Sequence, residues 1–284
     1  MGAARAAGPT ARPTSVASPR VPELPEVETI RRELAPLVVG RHVVTAGSHP
    51  SSKFAPVRDL PGATIAAVDR RGKYLLFGLD RDRQMVVHLG MTGVLRSGRT
   101  EDPYVRAWWT FGDGTTIEYR DVRRFGRIAV VPDGDHRSLP TLHRLGPEPL
   151  SAQFTPDGLW REMRSSSLRV KTQLLNQRVV AGVGNIYADE ALWRAGIDPA
   201  SRRLTRRQAE LLHEAICVVL SAGIANGGTT LRDYRTVMGA AGRNQLHLSC
   251  YGRAGQPCRR CRTELERRIL DGRGTTWCRH CQGR

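Results

Sequence analysis

Residues 21–33 read VPELPEVETIRRE. Val27 and Ile30, with Leu34 just beyond the quoted stretch, recur at spacings of three and four, which is one face of a helix. Pro25 suits the first turn, where a missing N–H removes nothing the helix would use. Glu26 and Glu28 suit the positive end of the helix dipole. Gly40 is a natural stop. Downstream the period shortens. Between residues 41 and 131 lie HVVTAG, TIAAVDR, KYLLFGL, QMVVHLG, AWWTFGDG, TTIEYR and RIAVV, short runs punctuated by turns such as Asp113-Gly114. One helix followed by several short strands predicts a β-sandwich.

Past the strands, DGDHRSLPTLHRLGPEPLS (133–151) is broken by proline and glycine and reads as a linker between domains. Residues 155–222 read as largely helical. Thr205 and Gln208 form a capping-box pair ahead of AELLHEAICVVLSAGI, where Leu212, Ile216 and Leu220 repeat at spacing four. Between helices, VVAGVGNIYADEALWRAG places Gly182 and Gly184 in a tight turn and Asn185 as N-cap of the next helix, a helix–turn–helix-like unit. Such a turn aims backbone N–H groups at an anion, and a DNA phosphate fits; glycine turns between helices are also common without a ligand. No run reaches the roughly 18 apolar residues of a membrane span.

The strongest local signal lies at the C-terminal end. Cys258-x2-Cys261 and Cys278-x2-Cys281 stand sixteen residues apart. Four thiolates in two close pairs suit tetrahedral zinc, and a closed four-cysteine site is structural because no coordination position remains for water. A zinc ribbon by itself serves DNA, RNA and protein contacts alike. Arg273, in the DGRGTTWC turn between the pairs, is either a solvated turn charge or a phosphate or base contact. Cys217 reads as core and Cys250 as structural, and reduced thiols suit the cytosol.

Charge points to a polyanion. The chain carries 44 basic and 27 acidic residues, net +17, which favours a nucleic acid partner. Only three of the basic residues are lysines, so part of the surplus reflects an arginine-rich composition. Met91 in HLGMTG and Arg123, Arg124 and Phe125 in DVRRFGR sit at strand ends. Apolar wedges and arginines there can enter a duplex and fill the hole a flipped base leaves; the plain alternative puts Met91 and Phe125 in the core. Lys73 opens an apolar strand and, unlike arginine, gives up a proton readily.

Taken together, PELPEVETIRR, RRGKYLL, HLGMTG, DVRRFG, HRLGPEPLS, GVGNIYADEALW, GGTTLRDY, YGRAGQPC and the four-cysteine ribbon resemble the formamidopyrimidine-DNA glycosylases, in the same order, from Pro22 to the C-terminus. Leu24 stands where the endonuclease VIII branch has a glycine in its PEGPE-like start. The resemblance implies an α+β multidomain fold: an N-terminal β-sandwich with flanking helices, a helix–two-turn–helix domain and a C-terminal four-cysteine zinc-finger β-hairpin. The expected organisation is a leader over 1–21, a catalytic β-sandwich domain over 22–134, a linker over 135–150, a helix–two-turn–helix DNA-binding domain over 151–243 and a zinc-finger domain over 244–284.

The implied activity is base-excision repair: removal of 8-oxoguanine and formamidopyrimidines from double-stranded DNA, then β,δ-elimination at the abasic site. The implied protein is a cytoplasmic bacterial monomer, active at the nucleoid, with one structural Zn2+ and no membrane partner. Carried over by motif, Pro22 is the nucleophile and Glu23 the acid that assists sugar-ring opening. Lys73 and Arg273 are the proton donors of β- and δ-elimination. Asn185 and Arg273 grip phosphates, and Met91, Arg123 and Phe125 fill and buttress the vacated stack, with Arg124 beside them. Lys171 is expected as a phosphate contact or as a solvated charge. Many relatives carry a histidine in a DNA-facing loop where this chain has DPYVRAW, with Tyr104 nearest. Base preference is expected to lie within 235–249.

Pro22 acts through a secondary amine, and an acylated proline nitrogen is an amide with no N–H and a delocalised lone pair. Twenty residues precede Val21: MGAARAAGPTARPTSVASPR, with three prolines, no acid and no apolar period. That composition predicts disorder rather than a secretory signal. The favoured reading is translation from residue 21 with removal of the initiator. The alternatives are a cleaved leader and a blocked, catalytically silent DNA-damage-binding protein.

Overall fold

A computed structural model of the chain describes residues 21–231 and 234–283. The expected disordered leader therefore lies, up to residue 20, outside the described residues. Helix α1 (Leu24–Val38) buries Val27, Ile30, Leu34 and Val38 and ends ahead of Gly40, which turns the chain at φ +79°.

Eight strands follow: β1 (Val43–Ser48), β2 (Ile65–Arg71), β3 (Tyr74–Leu79), β4 (Arg83–His88), β5 (Gly93–Ser97), β6 (Val105–Phe111), β7 (Thr116–Asp121) and β8 (Arg127–Pro132). They form two antiparallel four-stranded sheets, ordered β1-β6-β7-β5 and β2-β3-β4-β8. Trp109, Phe111, Ile117 and Tyr119 of one sheet meet Leu75, Phe77, Met85 and Val87 of the other, with α1 closing the same core. Phe77 and Trp109 meet edge to face at 6.1 Å. Strands β3 and β4 read as unbroken apolar runs because their second face is also covered: Leu76 and Val86 pack against Leu139 and Leu142. Strand β5 was not anticipated. It is five residues long, carries an arginine and is flanked by glycine turns, so it shows little alternation before it pairs with β7.

The linker stretch holds a short helix, α2 (Pro140–His143), and is clamped to the β2–β3 turn. Glu148 accepts the Gly72 N–H at 2.6 Å and pairs with Arg70 at 2.7 Å and Arg71 at 3.0 Å. Beyond it come α3 (Pro156–Arg164), α4 (Val170–Leu175), α5 (Asn185–Ala195) and α6 (Arg206–Ala225), whose apolar faces share a second core. The Thr205–Gln208 capping box forms as expected. Among the described residues α6 alone is long and apolar enough to cross a membrane, yet Leu212, Ile216 and Leu220 are buried in this helical core. The hairpin β9 (Glu266–Leu270) and β10 (Arg273–Trp277) and a last turn, α7 (Arg279–Gln282), complete the fold.

The two halves share residues. Leu24, at the start of α1, is buried in the helical core, while Val27, three residues on, is buried in the sandwich core. Tyr234 and Val237 return from the helical half to pack on the sandwich cluster.

Candidate active site

The first carboxylate of the chain lies at a helix N-terminus more than 160 positions away in sequence. Glu23 accepts N–H groups from Gly184 at 2.7 Å, Ile186 at 2.8 Å and Tyr187 at 3.3 Å. These are the unbonded donors at the start of α5, and a negative group there also meets the positive end of the helix dipole. The N-cap is therefore Gly184, not Asn185, and the capping oxygens come from α1's own start rather than from a neighbour in sequence. The same contact corrects the expectation of a phosphate in this turn: Glu23 already occupies it. Gly184 is required because a Cβ there would lie 2.3 Å from the Glu23 carboxyl carbon.

Glu26 joins it from the next turn. Its carboxylate accepts the Glu23 N–H at 2.9 Å, the Thr229 N–H at 2.6 Å and the Tyr187 hydroxyl at 2.9 Å. Burial pushes both carboxyls up, and the Glu23 charge adds to the effect on Glu26, which reaches about 7. Two buried carboxyls so close favour retaining a proton between them near neutrality.

Lys73 and Arg273 complete this centre. Lys73 follows Gly72, whose φ of +55° turns β2 into β3. The residue is half-buried, and burial lowers its pKa, although Glu23 and Glu26 pull in the opposite direction; Arg273 adds to the lowering. The site thus brings Glu23, Glu26, Lys73 and Arg273 within electrostatic reach, from α1, the β2–β3 turn and the exposed start of β10. Pro22 is buried immediately before Glu23. His88, opposite Tyr74 in the ladder and not singled out by sequence reasoning, joins the same surface. Burial pushes its pKa down to about 4, with Lys73 adding to the effect, so it is a neutral imidazole.

The loops that carry Met91 and Phe125 are locked to each other. Buried Asp121 accepts from the Thr92 hydroxyl and from the Gly126 N–H at 2.8 Å, and Thr92 in turn accepts the Arg123 N–H at 3.1 Å. The Tyr119 hydroxyl donates to the Leu89 carbonyl at 3.0 Å. Met91 is half-buried, and Phe125 is 47% exposed with the Arg123 guanidinium 4.6 Å above its ring. Neither behaves as the core residue of the plain alternative. Arg124, at φ +55°, is exposed, and its carbonyl accepts from Lys53 at 2.9 Å. Tyr104 is exposed between Arg106 and Arg120, and its carbonyl accepts the Asp121 N–H at 3.0 Å, which puts it at the foot of the same loop. A Cβ on Gly126 would fall 1.6 Å from the Tyr119 oxygen. Gly126→Ala should therefore cost about 3 kcal/mol of stability by overpacking, read as a lower urea midpoint; an unchanged midpoint would show that the two loops yield.

The four sulfurs of Cys258, Cys261, Cys278 and Cys281 all lie within 4.8 Å of one another. Zinc–sulfur bonds of about 2.3 Å require tetrahedral edges of about 3.8 Å. The Cys258–Cys281 and Cys261–Cys278 separations of 4.0 and 3.4 Å fit that donor set. The Trp193 indole N–H donates to Cys258 at 3.3 Å, tying the ribbon to the end of α5. Lys171 departs from both readings of it. It is 1% exposed and pairs with buried Asp189 at 2.6 Å, so it is neither a surface phosphate contact nor a solvated charge. Asn185 donates from its carboxamide to the Gly274 carbonyl at 3.0 Å.

Sequence reasoning also passed over Tyr187, Asp189 and Glu190, all buried on α5. Glu190 accepts the N–H groups of Ser249, Cys250 and Tyr251. The available signal was the density of polar residues in NIYADE on a helix that the rest of the pattern makes internal.

Comparisons with known proteins agree with this architecture. The chain matches the formamidopyrimidine-DNA glycosylase N-terminal domain over residues 21–128, the formamidopyrimidine-DNA glycosylase H2TH domain over 145–235, and a zinc finger found in FPG and IleRS over 255–283. It is 45% identical over 267 residues to a formamidopyrimidine-DNA glycosylase of Thermus thermophilus, covering 93% of this chain and 99% of that protein. The crystal structure of the MutM (Fpg) protein of that organism superposes with a TM-score of 0.87 at 45% identity, over 92% of this chain and 99% of the other. A Lactococcus lactis FPG mutant in complex with Fapy-dG containing DNA superposes with a TM-score of 0.84 at 36% identity, over 93% and 100%.

Proposed function

The chain belongs to the formamidopyrimidine-DNA glycosylase family, and we propose that Pro22, Glu23, Lys73 and Arg273 carry its chemistry. The protein is a base-excision repair enzyme that removes oxidised purines from duplex DNA and cleaves the abasic strand, acting as a monomer with one structural zinc. The observation that carries the assignment of residues is the buried Glu23 carboxyl beside Lys73 and Arg273, one residue after Pro22.

The Pro22 amine attacks C1′ of the damaged nucleotide, and the C1′–base bond breaks with its pair going to the base, which leaves with a proton. Glu23, whose carboxyl pKa burial raises, gives a proton to O4′ as the ring opens, and the nitrogen lone pair forms the iminium. The iminium makes the C2′ proton acidic. That proton passes to solvent, the C3′–O bond breaks, and the departing phosphate takes a proton from Lys73. Loss of the C4′ proton then breaks the C5′–O bond, and the second departing phosphate takes a proton from Arg273. Water hydrolyses the last iminium and frees Pro22. Burial lowers the Lys73 pKa, which makes its ammonium a readier proton donor than a solvated lysine.

Asn185 and Arg273 hold the phosphates around the extruded nucleotide. Met91, Arg123 and Phe125 fill the gap, supported by Arg124 and Tyr104. The enzyme acts in the bacterial cytoplasm on nucleoid DNA. The domains are those bounded at residues 22, 134, 150 and 243.

A duplex carrying 8-oxoguanine, labelled at either end of the damaged strand, tests the reading. The expected products are free 8-oxoguanine and a one-nucleoside gap with phosphate at both ends. Tight binding without cleavage would indicate a silent damage-binding protein, and cleavage only at oxidised pyrimidines would indicate an endonuclease VIII-like specificity. Stripping the zinc should unfold the β9–β10 ribbon, since a structural zinc contributes on the order of 10 kcal/mol to such a unit. Lesion-duplex binding, followed by anisotropy, should then be lost. Intact affinity after complete chelation would remove the ribbon from DNA recognition.

A further inference from the structure

The buried Lys171–Asp189 pair remains without a part in that chemistry. Both side chains are at most 1% exposed. The Lys171 ammonium lies against three oxygens: Asp189 at 2.6 Å, the Thr275 hydroxyl at 2.8 Å and the Gly274 carbonyl at 3.1 Å. Asp189 uses its other oxygen to accept the Thr276 N–H at 2.9 Å. Asn185 donates to the same Gly274 carbonyl at 3.0 Å. Across the turn, Asp271 is held by Arg169, just ahead of α4, and by the Thr172 hydroxyl of α4.

Gly274 follows Arg273 directly. A charged pair is costly to bury unless its geometry is well satisfied, and removing one member leaves the other uncompensated. This pair therefore acts as a stiff strut between the helical half and the hairpin. The zinc ligands fix the hairpin's base, whereas these contacts fix its tip.

We propose that Lys171, braced by Asp189, is a positioning residue for Arg273: it sets where the hairpin tip presents the guanidinium to the second leaving phosphate. The inference rests on the reading of Arg273 as the group that assists δ-elimination.

The test uses the zinc-loaded chain beginning at Pro22 on a duplex with a single abasic site. Lys171→Met should raise the ratio of β-only to β,δ product by about tenfold, normalised to borohydride-trapped enzyme, corresponding to about 1.4 kcal/mol in the second step. Arg273→Gln should shift the ratio the same way, and the combined variant should add little to Arg273→Gln alone. Lys171→Met with Asp189→Asn leaves no uncompensated buried charge, and it supplies the same readout if the single variant fails to fold. A wild-type product ratio in either folded, zinc-loaded variant would overturn the proposal, as would a full additional shift in the combined variant. Failure of the unsubstituted protein to trap at all would instead strike the Pro22 chemistry beneath it.

Discussion

A chain whose first residue is Pro22 will form a borohydride-stable adduct on that proline with 8-oxoguanine duplex, and the same chain with one residue ahead of Pro22 will form none. The difference should be at least about a thousandfold, because the blocked form lacks the nucleophile rather than having a weaker one. A preceding residue converts the nitrogen to an amide, whose lone pair is shared with a carbonyl and which cannot become an iminium. The blocked form retains the groups proposed to hold DNA, so lesion binding should persist and separate loss of chemistry from loss of recognition. Peptide mapping of the adduct is the decisive readout. An adduct on Lys73 from the blocked form would transfer the nucleophile's role to the lysine.

Glu23→Gln should lower single-turnover release of 8-oxoguanine by about a hundredfold to ten-thousandfold, the range for removing a positioned acid. Strand cleavage at a preformed abasic site should fall far less, because its sugar already opens to an aldehyde without that proton. Equal losses on both substrates would count against an acid acting in ring opening. The pH dependence follows from the raised carboxyl. Glu23 must carry its proton, so excision persists at low pH and is lost as pH rises through the elevated folded pKa. Burial and the Glu23 charge push Glu26 up to about 7, so the coupled pair keeps one proton between its two carboxyls until about that pH. Glu26→Gln should therefore move the alkaline limb of the excision profile to lower pH. A limb that stays in place or moves up would break the proposed coupling.

Much of this molecule is legible from local pattern. The helix from Pro25 shows in Val27, Ile30 and Leu34, the ribbon in two Cys-x2-Cys pairs, and the α6 start in Thr205 and Gln208, because each depends on residues a turn or a hairpin apart. Strand β5 escaped because its five residues lack alternation and gain their place only by pairing with β7. The site was legible as a set of motifs but not as an arrangement. HLGMTG and DVRRFG carry their glycines for a reason visible only when Tyr119 and Asp121 press the loops together.

The sequence by itself determined the succession of first helix, strand region, helical region and four-cysteine ribbon, the metal ligands and the family, since spacing and residue type suffice for these. The tertiary structure alone decided which charges lie inside. It put Glu23, rather than Asn185 or a phosphate, on the N-terminus of α5, raised Glu26, and turned Lys171 inward onto Asp189. The physical reason is desolvation: the state of a carboxyl or an ammonium depends on which distant segments exclude water from it, and no local spacing records that.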